Sequence, residues 1–104
     1  MKVAVTCRAD NMDALVDQRF GRCSWFAIYD TDTHEVEFVK NTAKDEDSGA
    51  GPAAVAIVAD HQVRKIVSGE FGFKIKNMLM ELNIQMVMVK EEKTLAQIIE
   101  LISK

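Results

Sequence analysis

At 104 residues and 48% hydrophobic content, the chain has the length of one domain and enough apolar mass for a core without disulfide or metal staples. A net charge of −3 lacks the basic footprint of a nucleic-acid binder, and no apolar run reaches the ~18 residues that a membrane-spanning helix needs. A single lysine before Val3-Ala4-Val5-Thr6, with no long apolar stretch after it, predicts no secretory signal, so the two cysteines are expected as thiols in a reducing cytoplasm.

Lys2–Thr6 alternates and is β-branched, which predicts the first strand. Residues 8–22 are polar and irregular apart from the patch Met12–Val16, and read as a long loop of the kind that often carries function. Ser24–Tyr29 is the second strand, with Trp25, Ala27 and Tyr29 on one face and Phe26 and Ile28 on the other. Asp30–His34 is a turn, and Glu35–Val39 closes a hairpin as the third strand. After the polar stretch 41–48, Gly49-Ala50-Gly51-Pro52 opens a helix, with Gly51 expected as N-cap and Pro52 as the first helical residue. That helix runs to His61. Lys65–Ser68 is the fourth strand, Gly69–Gly72 turns into a second helix ending at Leu82, and Ile84–Val89 is the fifth strand. Thr94 caps a last helix whose apolar stripe is Leu95, Ile98, Ile99 and Ile102. Met78, Met80, Met86 and Met88 read as gap-filling core; Met12 reads as a loop anchor or a soft thioether ligand.

The element order is βββαβαβα. Strands alternating with helices in the second half require right-handed parallel crossovers. Joined to a leading hairpin, they give an α/β fold with a mixed five-stranded sheet between helices. Such sheets bind ligands outside the carboxyl ends of their parallel strands. Cys7, Cys23, the 8–22 loop and both glycine-containing helix entries fall at that rim. Arg8, Arg19 and Arg22 supply local positive charge there, and a guanidinium fork suits anions. A cysteine beside positive charge tends to ionise and to take soft metals. Helix N-termini offer free N–H groups. Simpler roles stay open beside these. The glycines serve equally as tight connections, the cysteines as small core residues and the arginines as solvated charges, while Phe20 reads as a plug under the loop. His34 and His61 fall at the opposite edge as surface residues. There is no CxxC pair and no four-thiolate set. The first strand lacks the carboxylates of a two-metal nuclease, and no nucleophile–base pair, P-loop or dinucleotide fingerprint is present. Binding is therefore favoured over catalysis.

The segment Val16-Asp17-Gln18-Arg19-Phe20-Gly21-Arg22-Cys23-Ser24-Trp25-Phe26-Ala27-Ile28-Tyr29-Asp30 resembles the V-D-x-R-F-G-R-x-x-x-F-x-I-x-D signature of the dinitrogenase iron–molybdenum cofactor biosynthesis family, which includes NifX and the C-terminal domain of NifB. Met1–Thr6, Ser48-Gly49-Ala50-Gly51 and Ser68-Gly69-Glu70-Phe71-Gly72 match in the same order, over residues 1–89, and 1–104 is taken as a single domain of this kind. The resemblance implies a ribonuclease-H-like fold with strand order 3-2-1-4-5 and strand 2 antiparallel. It implies a non-catalytic carrier of an iron–sulfur or molybdenum–iron–sulfur cluster, held as transient cargo. Cofactor-assembly proteins would be its partners, with neither nucleic acid nor membrane involved. The implied site takes Arg19, Phe20, Gly21 and Arg22 from the loop. It adds Gly49, Ala50 and Gly51 from the first helix entry, and Gly69 and Gly72 from the second. Cys7 and Cys23 are the candidate metal ligands. Phe73, where relatives often have proline, is expected to narrow the rim. The alternative reading is a regulatory module for a small anionic ligand on the same helix ends and arginines. A subunit-interaction domain is a third.

Overall fold

The computed structural model describes residues 1–103. Its elements are β1 (Lys2–Cys7), β2 (Trp25–Asp30), β3 (Val36–Lys40), α1 (Ala50–Asp60), β4 (Val63–Ser68), α2 (Phe73–Glu81), β5 (Gln85–Met88) and α3 (Leu95–Ile102). The sheet order is β3-β2-β1-β4-β5. β2 runs antiparallel to both β1 and β3, and β4 lies parallel to β1 and β5. This is the α/β fold expected from the element order, with the strand order 3-2-1-4-5 that the family resemblance implies.

Alternation along the strands builds two cores. Ala4, Phe26, Ile28 and Ile66 face α1 and α2, meeting Ala54, Val55, Val58, Ile75 and Leu79. Val3, Val5, Ala27 and Val67 face the other way, against Leu95 and Ile98 of α3. Two helices cover one face of the sheet and one helix covers the other. Pairing of β4 with β1 skips Arg64, since Lys2 pairs with Val63 and Val3 with Lys65. The skip puts Val63 in the α1/α2 core and leaves Lys65 on the α3 face with Val67, two residues along the strand.

Two helix starts show how the local rules played out. Thr94 caps α3 through a full capping box: its hydroxyl accepts from the Gln97 N–H at 3.2 Å, and the Gln97 side chain accepts from the Thr94 N–H at 2.9 Å. α1 starts two residues earlier than the sequence suggested. Gly49, not Gly51, is the N-cap, with φ 78° in the left-handed region that glycine adopts without strain. Pro52 becomes the third helical residue, still within the first turn, where its missing N–H has no intrahelical acceptor to lose. Burial of Ala50, together with the seating of Gly51 against Ile75, extends the helix back.

The 8–22 segment is more ordered than an irregular loop. Val16 bridges Cys7, and Leu15 bridges Thr94. Val16 N–H donates to Lys93 O at 2.9 Å, Leu95 N–H to Ala14 O at 2.8 Å, and Asp17 N–H to Thr6 O at 2.7 Å. These bonds thread the segment across the carboxyl ends of β1 and β4 and tie it to the start of α3.

Candidate functional site

The rim is assembled around residues 17–23. Asp17 is fixed from below by two buried hydroxyls: Thr6 donates to its carbonyl at 3.0 Å, Ser68 donates to the same oxygen at 3.4 Å, and the two hydroxyls sit 2.9 Å apart. The Asp17 carbonyl also accepts the Gly69 N–H at 3.0 Å. Beyond it, Arg19 bridges Glu70 in parallel. Phe20 is buried against Phe26 and Phe71, with ring centroids 5.6 and 5.9 Å away, so the expected plug is where the loop needs one. Gly21 then passes along the first turn of α1.

Asn41, which the sequence did not single out, holds the far end. It is buried, and its amide donates to Cys23 O at 2.9 Å and Gly21 O at 3.2 Å. Its own side-chain oxygen accepts the Ala43 N–H at 3.1 Å. An asparagine just after an edge strand looks like turn punctuation in a sequence, and only the fold shows that its amide reaches back across the hairpin.

The glycines divide into two kinds. A Cβ on Gly69 would lie 2.5 Å from Gln18 Cα, and one on Gly21 would lie 3.1 Å from Gly51 Cα. One on Gly51 would collide with Ile75 Cδ1. These three let the loop, α1 and α2 pack against one another, and the Gly69 N–H is already used by Asp17. Gly49 faces open space, and Gly72 meets only the Ile75 side chain at 3.9 Å. They cap α1 and α2, whose first turns present N–H groups with no intrahelical partner and the positive ends of two helix dipoles. Because α1 and α2 pack together through Gly51 and Ile75, these two ends lie side by side.

The arginines also divide. Arg19 is exposed and forms no ion pair among the described residues. The Arg22 guanidinium donates through Nη1 to Glu46 O at 2.6 Å and Lys44 O at 2.8 Å, stapling the acidic 44–47 stretch that precedes α1.

Both cysteines are free and fully buried. They lie in different cores: Cys23 packs in the α1/α2 layer and Cys7 in the α3 layer. Burial pushes the Cys7 thiol up to about 12, with the Asp17 carboxylate adding to the rise. Burial, then Asp17, pushes Cys23 up further. The ionisation expected beside Arg19 and Arg22 is thus reversed, because desolvation outweighs guanidinium charges that point to solvent or to backbone carbonyls. Among the described residues, no group of three or more His, Cys, Asp or Glu side chains is placed to hold a metal ion.

Phe73 opens α2 and is 83% exposed. Met12 is 39% exposed and is tied through its carbonyl to Ala96 at the start of α3. His34 and His61 sit at the opposite edge, bonded to Tyr29 Oη and Ile57 O, each at 2.8 Å. No helix is long and apolar enough to cross a membrane among the described residues.

Known proteins place this geometry in context. The family model described as dinitrogenase iron-molybdenum cofactor matches residues 1–104. The apo form of the orange protein from Desulfovibrio gigas superposes with a TM-score of 0.91 at 29% identity, covering 97% of this chain and 85% of that one. A NifB-like protein from Thermotoga superposes with a TM-score of 0.85 at 26% identity, covering 98% and 86%. A dinitrogenase-like protein from Methanocaldococcus jannaschii shares the fold, with a TM-score of 0.65 at 18% identity over 96% and 88%. No curated protein sequence matches the chain.

Proposed function

The chain belongs to the dinitrogenase iron-molybdenum cofactor family, and on that premise we propose that it is a non-catalytic carrier whose cargo is an anionic iron–sulfur or molybdenum–iron–sulfur cluster. The cargo docks at the rim, across the open starts of α1 and α2. Amide N–H groups behind Gly49 and Gly72 donate to its sulfides or oxo groups, and Arg19 supplies a mobile positive charge. Gly21, Gly51 and Gly69 act indirectly, by letting the rim close up. Arg22 acts by holding the 44–46 backbone beside α1.

One observation carries this reading: two side-by-side helix ends, one capped by Gly49, which faces open space, and one by Gly72, which meets only the Ile75 side chain, with the unpaired Arg19 on the same rim. The thiols enter differently from the usual metal ligand. Both are fully buried, and Val16 bridges Cys7, so neither thiol is on the surface where the cargo docks. A site with few strong ligands suits a protein that must give its cargo away. The orange protein, whose structure is that of an apo form, is similar to this chain over most of its length. Cofactor-assembly proteins in the cytoplasm are the proposed donors and acceptors.

The test is anaerobic titration with ferrous iron, sulfide and molybdate, followed by visible absorption and metal analysis after gel filtration. The carrier reading expects saturable loading, weakened in Arg19→Ala. Absence of retained metal would overturn it. Buried thiols also favour the second reading, a regulatory module for a small anion. Stabilisation by phosphate or carboxylate ligands, with no metal retained, would establish that one instead.

A further inference from the structure

The single helix on the α3 face leaves part of the sheet uncovered. Beside α3, the β4 and β5 side of that face forms an open trough of about 480 Å³, within the roughly 300–1,000 Å³ of small-molecule clefts. Val67, Val87 and Val89 form its floor, and Ile98, Leu101 and Ile102 form its wall. Leu101 is 58% exposed, so the wall continues to solvent. Met1 and Thr31 close the end at the edge of the sheet remote from the glycine rim.

The charge in this trough is one-signed. Among the described residues, Lys65 is the only charged side chain lining it. It is half-buried and makes no ion pair among the described residues, where the pairs are Met1 N with Asp32 and Lys93 with Glu91. Lys65 is there because pairing of β4 with β1 skips Arg64, which turns it to the α3 face between Val3 and Gln85. In a chain of net charge −3, an apolar trough whose described lining holds one unpaired ammonium and no carboxylate complements an apolar anion.

We propose that this trough is a second ligand site, for an organic acid with an unbranched apolar tail. Its carboxylate pairs with Lys65, and its tail lies over Val67, Val87 and Leu101. The proposal is independent of the cargo reading, because no rim residue lines the trough.

The probe is decanoate, titrated below its micelle concentration into the full chain and followed by methyl NMR and thermal shift. Saturable shifts confined to Val67, Val87, Val89, Ile98 and Leu101, with a raised Tm, are expected. Decyltrimethylammonium should bind at least about tenfold more weakly, the scale of one charge-assisted contact. Lys65→Met should abolish the preference for decanoate over decanol, Lys65→Arg should retain it, and Leu101→Glu should remove binding. The result that overturns the proposal is no saturable decanoate binding, or equal affinity for the cationic amphiphile. Concentration-dependent dimerisation that shifts the same methyls without ligand would overturn it too, since a second copy would then be the occupant.

Discussion

The two edges of the sheet solve the same problem, chain reversal, with different residues. At the edge away from the site, the turns after β2, α1 and α2 place His34, Gln62 and Asn83 in the left-handed region, at φ 64°, 60° and 58°. None of these is glycine, and each stands where the chain only has to turn. At the rim, Gly69 and Gly21 are required by what passes beside them, and Gly49 combines a φ of 78° with open space. The difference teaches that glycine here marks close backbone approach and an accessible helix end. Strain is tolerated where the chain only turns, and small residues are kept where elements converge.

The largest way to break this contrast is Gly69→Ala. Its Cβ would meet the Gln18 backbone, which cannot move without losing the Asp17 bond to Gly69. Chemical denaturation should show a loss of about 3 kcal/mol, the upper range for an overpacked site. Next is Asn41→Ala, which strands the Gly21 and Cys23 carbonyls in a buried setting. A loss of about 2 kcal/mol is expected, with faster thiol labelling of Cys23 as the local readout.

The thiols give a pH test of burial. Each is raised from an ordinary value of 9.0, so the folded state holds its proton more tightly than the unfolded state. Their contribution is fully present below pH 9.0 and is lost as pH rises toward the folded values, about 12 for Cys7. The unfolding free energy from denaturation should fall above pH 9 by up to about 1.4 kcal/mol per pH unit for each thiol. A Cys7→Ala, Cys23→Ala variant should show a shallower fall. The smallest effect is at the far edge and has the opposite sign. Gln62→Gly relieves a left-handed non-glycine residue and should stabilise by up to about 1 kcal/mol in the same assay.

The strands and helices were legible because they rest on short-range signals, whereas the strand order came from the family resemblance. β-branched alternation marked Lys2–Thr6, the Thr94 cap marked α3, and the crossover rule fixed how the parallel strands connect. The site was legible only as a neighbourhood. The sequence put Cys7 and Cys23 near one rim, but which core each thiol enters depends on strand phase and on how the loop re-enters β2. Arg22 read as a free cation, whereas its acceptors are backbone carbonyls 22 and 24 residues later. Asn41 and the Thr6–Ser68 pair gave no local sign, since their partners lie on other elements. The division of the glycines into packing and open ones is likewise a tertiary property, set by Gln18, Gly51 and Ile75.

The central claim is that cargo sits on the open starts of α1 and α2 and not on the thiols. It is met most directly by amide NMR of the chain titrated anaerobically with thiomolybdate, a diamagnetic, sulfide-rich molybdenum anion. Saturable shifts of the Ala50, Gly51, Phe73 and Lys74 amides, preserved in the Cys7→Ala, Cys23→Ala variant and weakened in Arg19→Ala, are the predicted result. Shifts centred on residues 30–35 and 61–63, or binding that vanishes with the two cysteines while those helix-start amides stay still, would contradict it.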